Sequence, residues 1–357
     1  MKPLGPILIA TALVSAAACS PDATPPARLD VQVIAQHSGT DASLRGLSVV
    51  DAQTAWIGAP DGQVLRTTNG GVNWMLARIP GAEGLDLRSV HAFSADRALF
   101  FTAGQPARLY LTEDGGASFE TVWEDPTGEA FFDGLDFWND LYGIAFSDPV
   151  DGRFLILLTG DGGETWRAVE DAPEALDGEA GFAASDSAMA LTPSGCAFIG
   201  TGGAATARML RSCDFGESWS VADTPLAAGR SSAGVFSIDA TGERIVIVGG
   251  DFAAEDGRTG NFAWSDDGGN SWDGALEPPL GYRSAVTHLP GHPDVLITTG
   301  PNGTDISRNS GEIWVSWDAL DGHHAIAFTP DGTAGWAIGS EGRITRIELE
   351  TAPDRTD

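Results

Sequence analysis

Apolar residues along this 357-residue chain come in short alternating runs bounded by Gly, Asp and Pro. Val, Ile, Phe and Trp are prominent in those runs, so the pattern predicts a succession of short β-strands joined by tight turns, with helix nearly absent. The stretch from Leu44 sets the grammar: LRGLSVV, TAWIGAP, GQVLRTT and MLARIP follow one another with few residues between, as four neighbouring strands of one sheet would. The same beat restarts with LRSVHAF at Leu87, FDGLDFW at Phe132 (ending near Pro173), GFAAS at Gly181, SAGVFSI at Ser232 and YRSAVTHL at Tyr282. Only the loops differ, most of all the long polar excursion DFAAEDGRTGN from Asp251.

A motif recurs after the third strand of each unit: TTNGGVNW at Thr67, TEDGGASF at Thr112, TGDGGETW at Thr159, SCDFGESW at Ser212, SDDGGNSW at Ser265 and SRNSGEIW at Ser307. Written as Ser/Thr-x-Asp/Asn-x-Gly-x-x-Trp/Phe, it is a turn with a mechanism. The Asp or Asn side chain bonds nearby backbone, the Gly takes positive φ, and the hydroxyl ties the start of the turn. The aromatic plugs apolar surface between neighbouring sheets. The motif resembles the Asp-box, or bacterial neuraminidase repeat, which implies a hairpin turn between the outer strands of propeller blades. Its spacings of 45, 47, 53, 53 and 42 residues suit one four-stranded blade per repeat.

After Trp314 no further copy follows, yet HHAIAFTPDGTAGWAIGSEGRITRIEL supplies three more strands, and LDVQVIAQH before the first blade supplies one without a blade. Pairing these ends completes a seventh blade and removes two free sheet edges. The expectation is therefore an all-β, seven-bladed β-propeller closed by its N-terminal strand, with six blades as the alternative if the terminal segments only cap the ring. Residues 29–350 form that domain. Most of the 46 glycines then serve turns and close packing. GTGGAA from Gly200 falls at a predicted hairpin tip with no following helix, so it is not a nucleotide fingerprint.

Lys2, an apolar run from Leu4 to Val14 and the small residues before Cys19 read as an export signal over residues 1–18. The cleavage region resembles a bacterial lipobox, which makes Cys19 the lipidated first residue of the mature protein and implies a membrane anchor through acyl chains. Ser20 favours the outer membrane, facing the periplasm. Residues 19–28 form a Pro-rich disordered tether and 351–357 a disordered tail. Formal charge is −30 and the only Lys is Lys2, so nucleic acid is excluded as a partner on electrostatic grounds. Cys196 and Cys213 lie equally far from a hairpin tip near Ala204 and Ala205, which places them opposite each other for a disulfide. The repeat's acids, Asp114, Asp161, Asp214 and Asp267, sit on separate blade peripheries, so no metal is expected, nor any cofactor. The protein is expected to be a monomer.

Residues just before each innermost strand converge on one mouth of a propeller channel. Those positions hold Arg45, Arg88, Asp133, Glu179, Arg230, Arg283 and the pair His323 and His324. Four arginines there, in so acidic a chain, predict a recess for a carboxylate, a phosphate or an acidic peptide. The competing reading pairs each Arg with an acid such as Asp86, Asp133, Asp136 or Glu179. Tyr282, Asp148, Asp251 and Asp305 border the same region.

AWIGAPDGQVLRTTNGGVNW and GWAIGSEGRI resemble the photosystem II assembly and stability factor family. That resemblance implies an exported or lumenal seven-bladed propeller that binds a membrane-protein partner and carries an arginine-rich patch. More distantly the chain is similar to sialidase and sortilin propellers. A sialidase-like glycoside hydrolase or lyase would draw an arginine triad from Arg45, Arg88, Arg230 and Arg283, a nucleophile from Tyr282 and its partner from Glu179 or Asp133. Against it, the sialidase Arg-Ile-Pro motif precedes the first box, whereas Arg78-Ile79-Pro80 follows it here. The leading expectation is a lipid-anchored binding or assembly scaffold of the cell envelope, its partner an envelope protein or acidic ligand.

Overall fold

The computed structural model describes residues 30–350, so the signal, the lipidation position Cys19, the tether and the tail lie outside the described residues. Strands are the only regular elements among the described residues, and they form seven antiparallel sheets, the blades of a propeller. Blade one shows how closely the apolar runs map onto strands: Gly46–Val49, Ala55–Ala59, Gln63–Thr67 and Met75–Arg78 follow in spatial order. Its two middle strands are almost wholly buried and its outer strand is mostly exposed, as expected for a sheet standing edge-on to the axis.

Two blades depart from the expected pattern. Blade four does not open with GFAAS; its inner strand is Met189–Leu191, and the earlier segment leaves the sheet altogether. Blade five has three strands, Ala233–Thr241, Arg244–Asp251 and Phe262–Ser265. Its fourth shrinks to a single bridge between Trp264 and Asp273, and Pro278 and Pro279 soon afterwards have no N–H with which to extend a ladder.

The hydrophobic core lies between successive blades rather than at one centre. Leu99 and Phe101 of blade two meet Phe132 and Leu135 of blade three, with Phe101 and Phe132 stacked at 4.0 Å. The contact is close enough that a Cβ on Gly58 would stand 2.7 Å from the Leu87 carbonyl oxygen, so only glycine fits where blade one abuts blade two.

Each repeat turn is wired alike. The hydroxyl of Thr159 donates to Asp161 Oδ1 (2.8 Å) and accepts from Gly163 N (3.0 Å), while the same Oδ1 accepts from Thr165 N (3.0 Å). The other five copies repeat the glycine-to-hydroxyl bond at 2.8 to 3.0 Å. Hydrogen bonds from Ser271 hold the Asp267 carboxyl down to about 2. Among the described residues no group of three or more His, Cys, Asp or Glu could hold a metal ion. Cys196 and Cys213, flanking the paired Ala197 and Ser212, are joined by a disulfide.

The ring closes through the N-terminal strand. Asp30–His37 pairs antiparallel with Arg343–Glu350 over eight residues and becomes the outermost strand of blade seven. Gln36 on that strand also fastens blade seven to blade one. Its Oε1 accepts from Trp74 Nε1 (3.0 Å) and Trp336 Nε1 (3.1 Å), and its Nε2 donates to the Gly70 carbonyl (2.8 Å).

Candidate functional site

The segment that leaves blade four, Phe182 to Ser187, crosses the channel. The guanidinium of Arg45 in blade one donates to the Ala184 carbonyl (3.1 Å) and that of Arg88 in blade two to the Ala183 carbonyl (3.4 Å). Deeper in, Val90 N donates to Asp186 (2.7 Å), Ser185 Oγ to the Ser284 carbonyl of blade six (2.6 Å), and Ile238 N of blade five to the Ser187 carbonyl (2.8 Å). Four blades thus grip one stretch of chain and satisfy its backbone without a sheet partner. The alternation of GFAAS looks like a strand because its apolar side chains are buried, but they face the channel.

Above this cap lies a cavity of 280 Å³ with two chemically distinct walls. One carries Arg45, Arg88 and His324, from blades one, two and seven. The other carries Phe182, Phe236, Phe252 and Tyr282. Phe182 and Phe236 stack at 3.9 Å, and Tyr282 meets Phe236 edge-on at 4.8 Å. Phe252 and Glu255 reach the rim from the long loop of blade five.

The charges on the two arginines are handled differently. Arg88 Nε donates to Asp86 at 2.6 Å. Among the described residues Arg45 has no carboxylate within ion-pair distance, and burial, then the neighbouring Arg88, lower its pKa. Burial and then the repulsion of Arg45 push His324 down to about 4, so at neutral pH it adds no charge. Burial raises the Tyr282 phenol, which keeps its proton and remains a donor.

The other residues expected at the mouth are elsewhere engaged. Arg283 is buried and turned inward, its Nε and Nη2 on Asp305 (2.8 and 2.7 Å) and its Nη1 on Asn302 (2.8 Å) within its own blade. Arg230 is exposed at the rim and pairs with Asp251 at 3.1 Å. His323 is locked between the Asp321 carbonyl (2.6 Å) and Thr345 (3.0 Å), and burial lowers it to about 4. Glu179 is held by both Arg208 and Thr201. Asp133 lies buried beside Asp148, away from the cavity lining. No four-arginine recess forms, and no hydrogen bond joins the Tyr282 hydroxyl to a carboxylate among the described residues, so the sialidase constellation is not assembled. The aromatic wall was missed by comparing positions before the inner strands: Phe236 lies within a strand, Phe252 in a loop and Phe182 in the cap.

No family model matches the chain, and no curated protein matches it in sequence. Solved structures do match. YCF48 bound to D1 peptide superposes with a TM-score of 0.64 at 17% identity, covering 91% of this chain and 100% of that one. What the chain shares with it is the propeller fold. YCF48 from Cyanidioschyzon merolae gives 0.66 at 16% identity, over 88% and 98% of the two chains. The Neurospora crassa Pan2 WD40 domain gives 0.62 at 12%, over 88% and 91%. Likeness at these identities is a statement about architecture, with the chemistry left to the side chains at the mouth.

Proposed function

We propose that the chain is a lipid-anchored binding or assembly scaffold of the cell envelope, which receives an acidic group of a protein partner at the Arg45 and Arg88 mouth. The observation that carries this reading is Arg45, set in a cavity wall with no carboxylate within ion-pair distance among the described residues. A partly buried cation without a counter-charge is costly, and an arriving carboxylate offsets that cost through forked, charge-assisted hydrogen bonds. The YCF48 likeness supports a protein-binding role, since one of those structures holds a peptide. The signal and lipobox pattern ending at Cys19 supports attachment to the outer membrane facing the periplasm.

The test is capture from a detergent extract of the cell envelope, comparing wild type with the Arg45→Gln/Arg88→Gln variant. At least one partner should be recovered by wild type and depleted about tenfold with the variant, a difference of ~1.4 kcal/mol. Equal recovery of every partner would remove the mouth from the binding surface. In the same cells, Cys19→Ala should shift the protein out of the membrane pellet, and its retention there would overturn the anchor.

A further inference from the structure

The two walls of the mouth ask for different things of whatever enters. Arg45, whose Nη1 donates to the Ala184 carbonyl, has no carboxylate partner among the described residues, and the protonated Tyr282 hydroxyl, in the same cavity lining, has no hydrogen-bond partner among the described residues although the residue is only 4% exposed. The wall around Tyr282 is built from three phenylalanine rings, and Phe252 at its rim remains 48% exposed. Such a ring cluster offers edges and faces to another flat apolar body and adds little for a hydrated ion. A volume of 280 Å³ falls just below the ~300–1,000 Å³ range of ligand pockets, which suits a small ligand, and the capping segment closes it from below.

We infer that the cavity binds small monocarboxylates carried on a flat apolar body, the arylalkanoic acids being the type, with the carboxylate on Arg45 and Tyr282 and the ring against Phe252 and Phe236. This rests on the mouth being the binding surface and adds the chemistry that selects its occupant. Arg88, already paired with Asp86, contributes field rather than contact. Glu255 at the rim disfavours acids that carry a second negative charge.

Isothermal titration of the full mature chain with 3-phenylpropionate, acetate, inorganic phosphate and phenethylamine tests this directly. 3-Phenylpropionate should bind at least about tenfold more tightly than each of the other three. Phe252→Ala, a substitution at a half-exposed ring, should erase its advantage over acetate, and Arg45→Gln should abolish acid binding, with unchanged thermal melts showing that both variants fold. If acetate or phosphate binds as well as 3-phenylpropionate and Arg45→Gln removes all of it, the ring selection is wrong while the arginine mouth survives. If no acid binds at millimolar concentration, the small-acid inference falls, and the capture experiment decides the mouth separately.

Discussion

Asp133 is a carboxyl group with no exposure, placed beside Asp148, which itself accepts from Gly181 N at 2.7 Å. Burial, and then the Asp148 charge, raise it well above its ordinary value of 3.8. The sign of the consequence follows. A carboxyl raised on folding contributes stability that is complete below its unfolded value and is lost as pH rises through its folded one. Wild type should therefore lose melting temperature as pH rises above about 4, and Asp133→Asn should flatten that decline, with the two proteins converging at the acid end. Calorimetric melts across this window check it, and parallel curves would show that Asp133 does not titrate there. At this scale the sequence was a partial guide. Register equivalence found Arg45, Arg88, His324 and Tyr282, because a propeller brings its strand starts together. For Arg283 the paired alternative describes the structure, with Asp305 and Asn302 of the same blade taking up its donors, and only the folded sheet shows which partners they are.

Blade four is the element in which most local rules are broken together. Its repeat has Phe215 where four siblings have glycine and one has serine, and Phe215 still adopts φ 60°, a conformation costly for a bulky side chain. The ring lies over Gly195 and against Trp138 and Tyr142, which ties the strained turn to the hairpin bearing Cys196. The disulfide closes that hairpin across 17 residues. Replacing both cysteines by alanine should cost about 3 kcal/mol by loop-closure entropy, read as a lower urea midpoint at unchanged slope. An unaltered midpoint would mean that the hairpin is held by packing alone. The cysteine pairing was legible from symmetry about the tip. The displaced lead-in of the same blade was not, because an apolar run buried in a channel has the same alternation as one buried in a sheet.

The ring as a whole was the most legible level, since a period of blade length and an unpaired strand at each end leave few ways to close. Closure also concentrates risk in one place. Truncation to residue 38 would expose the Arg343–Glu350 edge and leave Trp74 and Trp336 without the Gln36 acceptor. Such a protein should melt lower and elute as oligomers in size-exclusion chromatography, because a free edge recruits a strand from another copy. A monomer with an unchanged melting curve would show that six blades suffice to hold the seventh. The pairing of Asp30 with Glu350 also fixes how the ring responds to load. Tension drawn between those two residues falls on a single backbone pair at a time, so the joint peels like a zipper at low force. Tension that drags the first strand along its neighbour must shear all eight pairs at once, and the same seam then holds far more.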